Sequence, residues 1–200
     1  MMVQLLAIIV TLSTVVYSWP DGAPCKRAVV ESMNPLQAEE HAGGLQLTDP
    51  PYRIDVDSKC YWRNQAVTLT LRGNTTKEHF KGFVIQPLIY KGFKQGKRSG
   101  KLVRLDDNGS WRQQCFRYQD SVTNAHDEDK NEVRLWWKND KDDDYIVQFV
   151  ATVVKSQYVF WVKSVLSPPL PPCRLQRKFE GYVPPPVTAP PQTIPFKLVN

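Results

Sequence analysis

Short runs in which apolar and polar residues alternate are the feature that most restricts what this chain can fold into. The segment AVTLTLRG places Val67, Leu69 and Leu71 at alternate positions, and EVRLWWKN does the same with Leu135 and Trp137. Because successive side chains of a β-strand point to opposite faces, this period of two predicts strands with one buried face.

Further strands are predicted between residues 52 and 166. The segments YIVQFVATVVK and YVFWVKSVL are rich in β-branched and aromatic residues, and the short connection at residues 155–157 makes them a predicted hairpin. HFKGFVIQPLIY is another predicted strand, in which Pro87 indicates an edge position or a bulge. Only VVESMNPLQAEEHA allows a short helical turn. The pattern predicts an all-β antiparallel sandwich.

The two ends of the chain differ from this body. Residues 1–18 contain no charged residue, and their apolar run is shorter than the roughly 20 residues that a membrane span needs. Because Pro20, Gly22 and Pro24 follow, we predict a signal peptide, although the usual basic start is missing. An N-terminal core strand or helix is the alternative. We expect a secreted, extracellular mature chain that begins at Trp19 and has no transmembrane segment.

The C-terminal residues 174–200 are predicted to form a basic, mostly disordered tail. Ten of the sixteen prolines lie between Pro168 and Pro195, and proline excludes helix interiors and central strands. Beyond Cys173 the chain has four basic residues and one acidic residue, so part of its net charge of +6 is local. The remaining 150 or so residues suffice for one domain with a core.

Four cysteines and two glycosylation sequons fit an oxidising compartment. The cysteines are Cys25, Cys60, Cys115 and Cys173, with no CxxC pair that would indicate zinc. An even number predicts two disulfides, and their spacing leaves three pairings open. The sequons begin at Asn74 and Asn108, both in predicted turns, and we expect them to be glycosylated.

Several segments carry a resemblance to a known family. They are PDGAPC followed by Ser32, Met33 and Pro35, then DPPYRIDV, AVTLTLRGN, FKGFVIQPL, Cys115, VTNAH and VQFVATVVKSQYVFWV. In this order they resemble the reeler domain, which occurs at the N-termini of reelin and F-spondin and alone in small secreted arthropod defence proteins. The resemblance runs from about Pro20 to Val165.

The resemblance implies an immunoglobulin-like antiparallel sandwich over residues 19–173. It also implies that Cys25 pairs with Cys115 and Cys60 with Cys173. The chain departs from the family in VTNAH, where two residues separate the threonine from His126, in the acidic loop NDKDDDY, and in its Pro-rich tail.

No motif for catalysis is present in the sequence. His41, His79 and His126 lie in separate segments without HxH or HExxH spacing, and GxSxG, P-loop and GxGxxG patterns are absent. We therefore expect no enzyme activity and no cofactor. Some family members join this domain to a ferric reductase whose chemistry lies in membrane helices, so an accessory role in such a system is the weakest alternative.

Two acidic clusters raise the question of calcium. They comprise Asp127, Glu128 and Asp129, and then Asp140, Asp142, Asp143 and Asp144. Neither has the alternating register and distal glutamate of a calcium loop. Solvated acidic loops are the better interpretation, and no metal site is predicted.

The strongest binding feature is the segment YKGFKQGKRSGKLVR. It contains no acidic residue, and its three glycines favour a mobile loop or a wide hairpin. Its six basic residues are Lys91, Lys94, Lys97, Arg98, Lys101 and Arg104. Such a loop attracts sulfate, phosphate or carboxylate groups through screened charge and bidentate arginine contacts. Alternatively, it faces water or docks on the acidic loop of the same domain.

Adjacent aromatic residues predict that some rings point outward. Neighbours on a strand face opposite ways, so one of Trp136 and Trp137, and one of Phe160 and Trp161, faces away from the core unless something covers it. An exposed tryptophan can mark a sugar or lipid contact, and coverage by the tail is the alternative.

The expected function is that of a secreted, non-enzymatic binding protein. Its expected partner is an anionic polysaccharide or a microbial surface component, in innate defence. An extracellular-matrix or adhesion role, with binding to glycosaminoglycan or protein, is the alternative. Nucleic acid is not an expected partner, because the basic residues are not interleaved with stacking aromatics.

Overall fold

A computed structural model describes residues 22–23, 32–38, 41–105, 119–141 and 143–176. Within these ranges, eight strands form two four-stranded sheets in which every paired strand is antiparallel. The elements are a 3-10 helix (Pro35–Ala38), β1 (Tyr52–Val56), β2 (Val67–Gly73), β3 (Gly82–Ile89), β4 (Lys101–Leu105), β5 (Val122–Thr123), β6 (Glu132–Lys138), β7 (Val147–Ser156), β8 (Val159–Leu166) and helix α1 (Cys173–Gln176). The predicted all-β class is confirmed.

The first sheet has the strand order β1-β2-β6-β4. In its centre, Leu69 lies opposite Leu135 and Val67 lies opposite Trp137. Alternate residues of β2 and β6 are buried, so the period-two prediction is confirmed for both strands. Trp136 is half-buried on the other face, as the alternation requires.

The second sheet has the strand order β5-β3-β7-β8 and is covered on both faces. Seven consecutive residues of β7, from 147 to 153, are buried. One face packs on the first sheet through a single core, to which Phe149, Ala151 and Val153 contribute. T-shaped ring pairs join the layers, with Trp137 lying 5.5 Å from Phe149 and 5.1 Å from Tyr61 between ring centroids.

The N-terminal segment covers the other face of the second sheet. Thr152 Oγ1 donates a 2.6 Å hydrogen bond to the carbonyl oxygen of Met33, and the His41 ring packs edge-on against Phe160 at 5.7 Å. Phe160 is therefore 0% exposed and its neighbour Trp161, which faces the core, is 6% exposed. Phe160, the outward member of this predicted pair, is thus covered by the N-terminal segment.

Pro87 lies inside β3 without disrupting it. The strand β5 pairs only with Val84 and Ile85, so among the described residues no strand pairs with β3 on that side at Pro87, which therefore behaves as an edge residue. On that side the Pro87 carbonyl oxygen accepts a 2.9 Å bond from the backbone N–H of Ser99. The predicted hairpin is also present, with its turn between β7 and β8 at residues 157–158.

The C-terminal end of the described chain is fastened to the domain. A disulfide joins Cys60 to Cys173, the pairing that the resemblance implies for these two residues. Backbone bonds between Tyr61 and the segment that leads into α1 reinforce this contact. Residues 174–176, the first of the predicted tail, thus belong to a helical turn, and the rest of the tail lies outside the described residues.

Candidate functional site

The basic loop, defined here as residues 90–100, connects β3 in one sheet to β4 in the other. Its two limbs are joined by backbone bonds from Ile89 N to the Lys97 oxygen (2.8 Å) and from Gly96 N to the Ile89 oxygen (2.9 Å). Arg98 also forms an antiparallel bridge with Leu88. Of the two predicted forms, the structure has the hairpin.

Two of the six predicted basic residues are used inside the domain. Arg98 Nε lies 3.1 Å from Asp120 Oδ2, and the two side chains are only 19% and 11% exposed. Lys101 Nζ lies 2.6 Å from Asp140 Oδ2, and this hydrogen bond is the main cause that lowers the pKa of Asp140. The Arg98 pair holds the loop against the domain. The Lys101 pair lies just after the loop, at the start of β4, and agrees in part with the predicted docking on the acidic loop.

The other three lysines of the basic segment differ in exposure. Lys91 and Lys97 are exposed, and in the described part of the chain no carboxylate is within ion-pair distance of either. Lys94 Nζ lies over the ring of Tyr145 at 5.0 Å and beside that of Phe93 at 5.4 Å, within the range of cation–π contacts. The side chain of Arg104 lies outside the described residues.

Phe93 is a residue that the sequence analysis did not single out. Its side chain is 89% exposed between the lysines, the highest value for a large hydrophobic residue in the described ranges. The available signal was a phenylalanine between Gly92 and Lys94, the only large apolar residue of positions 91–101. Trp62, at the same end of the sandwich, is also partly exposed.

The first acidic cluster surrounds a buried lysine. Lys130 is 5% exposed, and its Nζ donates to three carbonyl oxygens, those of Lys81 (2.9 Å), His126 (2.7 Å) and Glu128 (2.8 Å). Burial lowers the pKa of Lys130, whereas the nearby carboxylates oppose that shift. The exposed acids Asp127, Glu128 and Asp129 therefore offset a buried ammonium group.

The second acidic cluster is tied to its neighbours. Asp140 pairs with Lys101, Asp143 accepts a 2.7 Å bond from Asn139, and Asp144 pairs with Arg174. Asp142 lies outside the described residues. In the ranges that are described, no group of three or more His, Cys, Asp or Glu side chains is arranged to hold a metal ion.

The three histidines occupy separate surroundings. His41 Nδ1 lies 3.2 Å from the carbonyl oxygen of Gln157, and His79 is exposed with its own carbonyl accepting from Tyr52. His126 Nδ1 lies 3.9 Å from a carboxylate oxygen of Glu128. None of these contacts forms the hydrogen-bonded pair of a nucleophile and a base.

The other predicted sites differ in whether the structure describes them. Asn74 is exposed in the turn after β2, where its side-chain oxygen lies 3.4 Å from an Arg53 nitrogen. Asn108, Cys25 and Cys115 lie outside the described residues, as does the predicted signal peptide. No helix in the described ranges is long and apolar enough to cross a membrane.

Comparisons with known proteins agree with this fold. The Reeler domain family matches residues 28–173. Defense protein l(2)34Fc of Drosophila melanogaster is 30% identical, with 82% of this chain and 96% of that protein covered. A protein of Antheraea mylitta whose name also contains "defense protein" is 27% identical, with 81% and 92% covered.

A solved structure gives the same result at the level of fold. The crystal structure of the human F-spondin reeler domain superposes with a TM-score of 0.52 and 16% sequence identity, covering 65% of this chain and 94% of that one. The resemblance noted from the sequence is confirmed, and the chain belongs to the Reeler domain family.

Proposed function

We propose that this chain is a secreted, non-enzymatic protein that binds an anionic component of a microbial or cell surface in innate defence. The observation that carries the proposal is that some basic residues of the segment form ion pairs within the domain and others are exposed. Arg98 and Lys101 are paired with acids, whereas Lys91 and Lys97 are exposed on the loop. Lys94 is half-buried and contacts the rings of Phe93 and Tyr145.

Charge and geometry support an anionic partner. The segment from Tyr90 to Arg104 has no acidic residue, so the charges that the segment itself carries are all positive. The two limbs of the loop are hydrogen-bonded to each other, which reduces the conformational entropy that binding would cost. The defence role rests on the names of the insect relatives.

The proposed mature protein begins at Trp19 and has an immunoglobulin-like sandwich with a second disulfide between Cys25 and Cys115. Glycans at Asn74 and Asn108 and an extended tail from residue 177 belong to the same proposal. Peptide mass mapping of the secreted protein tests the N-terminus, the second disulfide and the two glycans separately.

The experiment for the binding function measures retention on heparin and binding to bacterial lipopolysaccharide across a salt series. The test variant changes Lys91 and Lys97 to alanine. Each lysine near an anionic surface contributes about 1 kcal/mol, so we expect an affinity roughly 30-fold weaker at low salt, with the difference shrinking as salt rises.

The matched control changes Lys77 and Lys81 to alanine. Both are exposed at the opposite end of the sandwich, so this variant loses the same charge without touching the basic loop. Equal losses in the two variants would mean that net charge alone drives binding, which contradicts the proposed site. Retention on heparin without binding to lipopolysaccharide would instead favour a matrix or adhesion role.

A further inference from the structure

The Phe93 ring lies mostly in solvent and contacts Lys94 of the same loop. The ring is 89% exposed at the tip of the basic loop, and the lysines at positions 91, 94 and 97 surround it in sequence. Charged residues that only solvate a loop need no apolar side chain among them. The combination of an apolar tip and a basic surround therefore calls for a partner that is both anionic and apolar.

The backbone keeps this tip extended from the domain. Gly92 and Gly96 have φ angles of +102° and +77°, a region that favours glycine, and they bracket Phe93, Lys94 and Gln95. The hydrogen bonds at Ile89 close the neck of the loop below them. Phe93 is thus presented on a built turn, with the Lys94 ammonium 5.4 Å from the centroid of its ring and 5.0 Å from that of Tyr145.

We propose that the basic loop inserts Phe93 into the surface of an anionic phospholipid bilayer while its lysines contact the headgroups. A sulfated polysaccharide is hydrated and charged throughout, so it leaves the Phe93 ring in water. A bilayer places negative phosphates above an apolar layer, which matches a ring of lysines around an apolar tip. Trp62, partly exposed at the same end, is a second aromatic suited to the interface.

This inference rests on the proposed binding site and names its partner class. The experiment measures co-sedimentation of the full chain with vesicles of equal parts phosphatidylcholine and phosphatidylglycerol, against vesicles of phosphatidylcholine alone. We expect binding only to the anionic vesicles. Phe93→Ser should weaken that binding about tenfold, because it removes the apolar part of the contact.

Three comparisons separate insertion from a general loss of fold or charge. Phe93→Trp should bind at least as well as wild type, because tryptophan favours the membrane interface. Tyr158→Ser changes an aromatic residue that is 59% exposed in the β7–β8 turn at the opposite end, and it should leave binding unchanged. Phe93→Ser should keep its heparin retention and its melting temperature.

The outcomes distinguish this inference from the function on which it rests. Unchanged vesicle binding by Phe93→Ser, or binding of wild type to heparin but not to anionic vesicles, overturns the insertion of Phe93 and leaves the proposed function standing. Failure of wild type to bind vesicles, heparin and lipopolysaccharide overturns both.

Discussion

The indole Nε1 of Trp137 donates a 2.9 Å hydrogen bond to the carbonyl oxygen of Ser99. Trp137 is fully buried in the centre of the core, whereas Ser99 belongs to the returning limb of the basic loop. The single polar atom of the Trp137 side chain thus binds the backbone of the loop. Changes at this contact are therefore expected to affect the stability of the domain and the position of the loop together.

Gly100→Ala tests how closely the loop approaches Trp137. A Cβ at position 100 would lie 2.4 Å from Trp137 Nε1 and 2.6 Å from the Lys138 oxygen, and the glycine has a φ of +73°. We expect a loss of about 2–5 kcal/mol in the free energy of unfolding, measured with urea, from backbone strain and overpacking.

Gly44→Ala is the control for that substitution. Among the described residues other than its two chain neighbours, no heavy atom lies within 4 Å of a Cβ at position 44, and its φ is outside the left-handed region. Its unfolding free energy should stay within about 0.5 kcal/mol of wild type or rise slightly. Similar losses for the two alanine variants would contradict the close approach at Gly100.

Lys130→Met tests the buried ammonium group. The substitution keeps much of the side-chain volume but leaves three partly buried carbonyl oxygens without their donor, so we expect a loss of about 3 kcal/mol in the free energy of unfolding. Lys81→Met, at an exposed side chain nearby, should cost less than about 0.5 kcal/mol. Chemical denaturation of both variants at neutral pH decides whether the contacts of Lys130 are structural.

Alkaline pH is expected to destabilise the domain through Tyr52 and Tyr61. Burial raises the pKa of each from its ordinary 10.0 to about 12, and their hydroxyls donate to the carbonyl oxygens of His79 and Tyr145. Between pH 10 and 12 the unfolded tyrosine loses its proton and the folded one keeps it. Rising pH therefore favours unfolding, by up to about 1.4 kcal/mol per pH unit for each residue.

Tyr52→Phe isolates one of these contributions. The slope of unfolding free energy against pH above 10 should be shallower in the variant than in wild type, by up to about 1.4 kcal/mol per pH unit. Burial lowers the pKa of Lys130, and this shift changes stability in the opposite direction. The free energy of unfolding rises as pH increases from the lowered pKa of Lys130 towards the ordinary value of 10.5. The comparison cancels that contribution, and parallel slopes would refute the shift at Tyr52.

Removal of the Cys60–Cys173 disulfide is expected to be costly. The bridge spans 113 residues, and closure of so long a loop in the unfolded chain is worth about 4–5 kcal/mol in the chain-entropy account. Replacement of both cysteines by alanine should lower the denaturation midpoint without changing the vesicle or heparin contacts of the native state. A non-reducing peptide map that links Cys60 to any other cysteine would contradict the fold at this end.

The sequence by itself determined two strands of the first sheet, β2 and β6, and the faces that they bury. Val67, Leu69 and Leu71 are buried, as are Leu135 and Trp137, because the period of two is a local property of an extended backbone. The hairpin between β7 and β8 follows from the same local pattern and a short connection. The pairing of Cys60 with Cys173 was implied by the family resemblance and not by the spacing of the cysteines.

Only the tertiary structure decided which basic residues are paired within the domain and which remain exposed for a partner. The partners of Arg98 and Lys101 are Asp120 and Asp140, 22 and 39 residues further along the chain, and no local pattern pairs them. The burial of Phe160 likewise depends on the N-terminal segment, which is not part of the second sheet and packs on its outer face. Side-chain alternation is encoded over a few residues, whereas ion pairs and coverage depend on which distant segments the folded sheets bring together.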